Sequence, residues 1–249
     1  MTALALQEQV IVITGGASGI GKATARLCAE RGAHVLISDL PTSNGRVISE
    51  DLVAKGFSTS FVECDVSNEN DVKRLMCSTI KSYGRLDVLI ACAGILHGAT
   101  IEIENFDSVT FDQVLDVNAR GTFLCVKHAV RAMGNIGGVI LLLASGAGVT
   151  SSSSSYAYGA SKGAVHGLSL VLQSRLENRP IRINTVAPGA ISTPLKKQNI
   201  EDVGHHEGVS RAMIRDRQDQ LGDPAGVASI LAFLASPEAD YVRGTIFTR

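Results

Sequence analysis

Short apolar runs alternate along this chain with longer stretches whose apolar residues recur every three or four positions. Runs at 10–13, 35–38, 88–91 and 139–144 are rich in Val, Ile and Leu and nearly lack a polar face, and shorter apolar content at 59–63 and 181–186 continues the series. They predict strands covered on both sides. Stretches 19–31, 46–55, 71–82, 111–133, 157–178 and 225–235 carry helical spacing. Gly32, Gly56 and Gly84 close the first three, where a helix end favours glycine. The repeated strand–helix order predicts an α/β fold, a doubly wound parallel sheet of about seven strands flanked by helices on both faces. Such sheets bind ligands beyond the carboxyl ends of their strands. No repeat and no shift of composition divides the chain, so residues 1–249 are expected to form a single domain.

Two stretches break the alternation. A serine run at 150–155 follows the fifth strand and so belongs at the ligand edge. Residues 194–222 are charged and weakly periodic. They read as an insertion that covers the site, ordered mainly by contacts with ligand.

Composition narrows the class. A net charge of −1 supplies no field for nucleic acid or a membrane surface, and no apolar run reaches spanning length. The first residues are too polar for a signal peptide, and the last three are not a peroxisomal address. The five cysteines are odd in number and show no CxxC spacing, which fits a reducing, cytoplasmic setting. Cys125 and His128 could meet on a helix, but without further ligands they predict a core thiol and an ordinary histidine, not a metal site.

Thr14-Gly15-Gly16-Ala17-Ser18-Gly19-Ile20-Gly21 lies between the first strand and its helix. Glycines there let the backbone turn tightly and approach a pyrophosphate, and the helix N-terminus offers N–H groups. Asp39 ends the second strand about 20 residues on, where a carboxylate can accept from both hydroxyls of an adenosine ribose and repel a 2′-phosphate. Ala17 and Ser18 are not basic, and no basic residue follows Asp39 before Arg46. The expected cofactor is NAD rather than NADP.

Tyr158 and Lys162 stand four apart at the start of a long helix and share one face. A phenol is a poor base at neutral pH, and a nearby ammonium favours the phenolate. Tyr158 could then take a proton from an alcohol as its hydride leaves, or return one in reduction.

With these motifs in order, the chain resembles the short-chain dehydrogenase/reductase family over nearly its whole length. The resemblance rests on residues 14–21, Asp65-Val66, Ala93-Gly94, Asn118, Ser145, Tyr158 with Ala160, Ser161 and Lys162, and then Asn184, Pro188-Gly189 and Thr193. The spacing from Ser145 to Tyr158 is the one the family uses. The resemblance implies a Rossmann-type fold and a catalytic set of Asn118, Ser145, Tyr158 and Lys162. Tyr158 would be the general acid/base and Ser145 would bond the substrate oxygen. Lys162 would hold the nicotinamide ribose and lower the Tyr158 pKa, and Asn118 would hold a water linking Lys162 to solvent. The cofactor set it implies is Gly15, Ser18, Gly19, Ile20, Gly21, Asp39, Leu40, Asp65, Val66, Ala93, Gly94, Asn118, Tyr158, Lys162, Pro188, Gly189, Ile191 and Thr193.

Two positions depart from the family. Cys92 stands where an asparagine normally precedes Ala93-Gly94, which puts local rigidity in question. Residues 244–249 end the chain where the family has a seventh strand and Asp-Gly-Gly, so that strand is either cut off or short. The expected activity is an NAD(H)-dependent interconversion of a secondary alcohol and a ketone. The alternatives are an NADPH-dependent biosynthetic ketoreductase and a dinucleotide-binding protein without turnover. The substrate is expected to be a moderately hydrophobic small molecule, in a pocket made by Leu96, His97, residues 146–155 and the segment after Thr193. Family resemblance also implies a homodimer or homotetramer joined through the helices at 111–133 and 157–178, with Phe123, Val126, Val165, Leu168 and Leu172 as candidates for interface or core.

Overall fold

In the computed structural model, which describes residues 5–248, all six apolar runs are strands and a seventh follows them. Residues 1–4 and 249, on which the readings of the two termini partly rest, lie outside the described residues. The strands are β1 Val10–Thr14, β2 His34–Asp39, β3 Thr59–Glu63, β4 Val88–Ala91, β5 Gly138–Leu143, β6 Ile181–Ala187 and β7 Gly244–Phe247. They form one sheet in the order β3-β2-β1-β4-β5-β6-β7, and every pairing is parallel. The helices are α1 Gly19–Glu30, α2 Gly45–Ala54, α3 Glu69–Tyr83, α4 Ser108–Leu115, α5 Gly121–Met133, α6 Tyr156–Arg175, α7 Pro194–His206, α8 Arg211–Asp219 and α9 Pro224–Ala235.

Side chains alternate across a strand, so one buried strand feeds two cores. In β1, Val10 and Val12 face a layer containing Leu75 of α3, Val126 of α5 and Val165 of α6. Ile11 and Ile13 face the other layer, with Ala25 of α1, Leu52 of α2 and Leu231 of α9. All four are at most 2% exposed, which is why the strand reads as an unbroken apolar run. Truncating Ile11 or Ile13 to alanine would cost about 2–5 kcal/mol.

The stretch 111–133, read as one helix, is three elements. Between α4 and α5 the chain widens into a π-helical turn at Asp116–Arg120. Asn118 sits in that turn, fully buried, with its side chain fixed to the backbone of Ile95. The start of α5 also passes close to another element, since a Cβ on Gly121 would lie 2.8 Å from Val66 Cγ2. A count of 3.6-residue periodicity does not register one widened turn.

The charged 194–222 stretch forms two helices, α7 and α8, despite its weak apolar period. Caps define them: the Thr193 side chain accepts from the Lys196 N–H, with Pro194 in the first turn, and Ser210 accepts from the Met213 N–H. They meet where Ile214, 6% exposed, lies over Gly204, leaving no room for a Cβ there. The last strand is present but short: β7 pairs its four residues with Asn184–Ala187 of β6.

Candidate active site

The sheet order reverses at β1 and β4, whose carboxyl ends lie side by side. That is the switch point where such sheets take a ligand, and the glycine turn and Ala93-Gly94 both start there. Gly15 has φ +66°, and a Cβ on it would be 2.7 Å from Ala93 Cα. On Gly21 it would be 2.1 Å from the Gly15 carbonyl oxygen, and on Gly19 2.8 Å from Thr193 Cγ2. Each of the three glycines therefore permits a separate close approach. Ser18 precedes α1 without making a side-chain cap bond, so the first-turn N–H groups are left for a ligand.

Beyond the turn lies a cavity of about 800 Å3 that runs from Asp39 to α7. At one end Asp39 and Leu40 stand beside Asp65 and Val66. The Asp39 carboxylate accepts the Ala17 N–H at 2.9 Å and the Leu40 N–H at 2.8 Å, tying the glycine turn to the end of β2. Asp65 accepts from both the backbone and the hydroxyl of Ser67, at 2.9 and 2.7 Å. The cradle of glycine backbone and helix N-terminus, with carboxylates at its end, fits a dinucleotide.

Ser145, Tyr158 and Lys162 line the same cavity. Ser155 caps α6, accepting the Tyr158 N–H at 3.3 Å and donating to the His97 carbonyl at 2.6 Å, which fixes the first turn of the helix. One turn on, Lys162 is 5% exposed, and its Nζ donates to the Leu143 carbonyl at 2.9 Å and lies 5.7 Å from the Tyr158 ring centre. Burial lowers the Lys162 pKa to about 8. Burial pushes the Tyr158 phenol up, while its hydrogen bond with Ser145 acts the other way.

Pro188, Gly189, Ile191 and Thr193 line the opposite wall. Ser192 and Gly222 hydrogen-bond across this wall, which ties its start to the segment after α8. Asn118 lies behind the wall rather than on it. Its amide accepts the Ile95 N–H at 2.8 Å and donates to the Ile95 carbonyl and to Ser161 Oγ, both at 2.9 Å. Gly94 sits between it and Lys162, for a Cβ there would be 3.3 Å from Asn118 Oδ1 and 3.5 Å from Lys162 Nζ.

Among the expected pocket residues, Leu96, Gly146, Ala147 and Ser151–Ser154 line the cavity, whereas Gly148, Val149, Thr150 and Ser155 do not, and His97 is exposed and off its wall. Cys92 lines it too, its thiol pushed up to about 12 by burial against the opposing effect of Lys162. Its N–H donates to the Thr14 carbonyl at 3.1 Å, so the β1–β4 ladder continues through this position on backbone alone. His128 Nε2 is 3.0 Å from Glu69, and Cys125 is buried in the core. Lys196, Asn199 and Arg217 also line the cavity, and none belongs to a sequence motif. Their only signal was the position of the charged segment after Thr193.

A family model described as enoyl-(acyl carrier protein) reductase matches residues 15–248. The chain belongs to the short-chain dehydrogenase/reductase family. Its relatives in that oxidoreductase family include the cis-4-hydroxycyclohexanecarboxylate dehydrogenase of Sinomonas cyclohexanicum, 38% identical over 97% of this chain and 95% of the relative. Another is the (+)-cis,cis-nepetalactol synthase of Nepeta racemosa, 37% identical over 96% of this chain and 89% of the relative. Among solved structures, an actinorhodin polyketide ketoreductase variant with NADPH superposes with a TM-score of 0.89 at 26% identity, covering 97% of this chain and 95% of that one. The short-chain dehydrogenase/reductase fold binds a nicotinamide dinucleotide. No helix among the described residues is long and apolar enough to cross a membrane.

Proposed function

We propose that this protein is an NAD(H)-dependent enzyme that interconverts a secondary alcohol and a ketone, with residues 1–249 acting as one catalytic unit in the cytoplasm. The observation that carries the reading is the meeting of Ser145, Tyr158 and Lys162 in the cavity that begins at the glycine turn. The bound dinucleotide would supply the hydride acceptor or donor. Gly15, Gly19 and Gly21 would admit its pyrophosphate, Asp39 its adenosine ribose, and Lys162 its nicotinamide ribose. Ser145 would donate a hydrogen bond to the substrate oxygen, and Tyr158 would take the alcohol proton or return it to the forming alkoxide. With a pKa near 8, Lys162 is mostly cationic at about pH 7, and its charge favours the phenolate that burial resists. Asn118 would position rather than react, since its amide is taken up by Ile95 and Ser161. Helices α7 and α8 would cover the substrate.

One observation favours a second reading, an NADPH-dependent ketoreductase: the structural neighbour named above carries NADPH. Asp39, on the cavity wall where a 2′-phosphate would approach, weighs against it. Turnover of a panel of secondary alcohols and their ketones, with NAD(H) and NADP(H) in parallel, is the test. The proposal expects turnover with NAD(H) favoured. A preference for NADP(H) supports the second reading, and no turnover with either sinks both.

A further inference from the structure

The charges on the cavity wall are separated. Its two carboxylates, Asp39 and Asp65, lie at the end built from β2 and β3. The end built from α7 and α8 carries Lys196 and Arg217 and no acid. Arg217 is already paired, its guanidinium donating to Glu207 at 2.7 Å. Lys196 is not: among the described residues no carboxylate lies within ion-pair distance of its ammonium, whose hydrogen bond goes to Asn199 Oδ1 at 3.2 Å. That acceptor is firmly held. Asn199 is 3% exposed, and its Nδ2 donates to Ser154 Oγ at 2.8 Å. The chain Lys196–Asn199–Ser154 thus joins α7 to the serine loop that leads into Tyr158, and it places the cation on the substrate side of the cavity.

An ammonium has three donors, and this one uses a single acceptor. Half-buried and without a counter-charge, it pays a desolvation cost that lowers its pKa. An anion entering the cavity would relieve that cost, and a neutral alcohol would not. We propose that Lys196 binds a carboxylate on the substrate, so that the substrate class is a hydroxy acid or keto acid rather than a neutral hydrophobic alcohol. The inference rests on the alcohol–ketone reading of the site. A lone ammonium beside an amide suits a monoanion better than a phosphate dianion, which selects more donors.

The test compares hydroxy acids with their methyl esters, for instance 4-hydroxycyclohexanecarboxylate and 3-hydroxybutyrate, since esterification removes the charge and keeps the reacting carbinol. The acids should exceed their esters in kcat/KM by roughly tenfold or more, and Lys196→Gln should bring that ratio towards unity through KM rather than kcat. Lys196→Arg should restore much of it. Acids and esters used equally well by the wild type would overturn the assignment. So would a Lys196→Gln variant that loses NADH affinity instead, which would give the ammonium to the cofactor, or a preference for phosphorylated alcohols. Calorimetry of cyclohexanecarboxylate against its amide on the protein–NADH complex needs no turnover. If no alcohol or ketone is converted, the redox reading fails. Calorimetry then decides the Lys196 assignment alone: stronger binding of the acid, lost in Lys196→Gln, upholds it, and equal binding removes it.

Discussion

Asp39 does two jobs with one carboxylate. Both oxygens already accept backbone N–H groups, from Ala17 and Leu40, so it braces the glycine turn as well as facing the cavity. Replacing it with alanine would remove the brace and, on the proposed role, the repulsion of a 2′-phosphate as well. Steady-state kinetics on Asp39→Ala should show kcat/KM for NADP rising roughly tenfold relative to that for NAD, about 1.4 kcal/mol of discrimination, while NAD affinity itself falls. Unchanged cofactor preference would refute the role of Asp39. Gly15, Gly19, Gly21 and Asp39 were legible beside strand ends, Tyr158 and Lys162 as a pair four apart on a helix, and Ser145 through the family resemblance; all of them line the cavity. Lys196 and Asn199 were not, because Asn199 reaches the serine loop through a tertiary contact with Ser154 and Lys196 bonds Asn199 within the same helix. Asn118 was expected on the site from the family resemblance, and its burial behind Ile95, off the cavity wall, depends on a turn the sequence hid.

At the scale of elements, the buried strands were readable because a run apolar on both faces has few alternatives. The π-helical turn and the α7–α8 pair were less so, since one depends on a single widened turn and the other on caps rather than apolar spacing. Helices α3 and α5 are joined by polar contacts at Glu69, which lies 2.6 Å from Lys127 Nζ and 3.0 Å from His128 Nε2. Those hydrogen bonds, to Lys127 first and His128 second, hold the Glu69 carboxyl at about 2. A carboxyl depressed in the folded state contributes stability that is fully present above its unfolded pKa, about 4.3, and is lost as pH falls towards the folded value. Urea unfolding should therefore find Glu69→Gln less stable than wild type at neutral pH, with the gap narrowing as the solution is acidified through that range. A gap that stays constant with pH would show that the pairing is not what Glu69 contributes.

For the whole molecule, the structure separates core from surface on the helices expected to join subunits. Val126 and Val165 are buried inside the chain, at 2% and 0% exposed, and Leu172 packs against the same core. Phe123 on α5 and Leu170 and Val171 on α6 are 47%, 54% and 57% exposed. Apolar side chains that face solvent on two helices suit a symmetric contact between copies. Light scattering should give a dimer or tetramer for the wild type at about micromolar concentration, and Leu170→Glu should lower that mass by placing like charges across the contact. A monomeric wild type would contradict this. The central claim is that a hydride moves in this cavity while Tyr158 handles the proton. Its most direct test is Tyr158→Phe, which keeps the ring and removes only the hydroxyl. Turnover of a secondary alcohol the wild type oxidises should fall by on the order of a hundredfold or more, with NADH binding by fluorescence titration retained. Turnover close to wild type in that variant, with NADH still bound, would contradict the account.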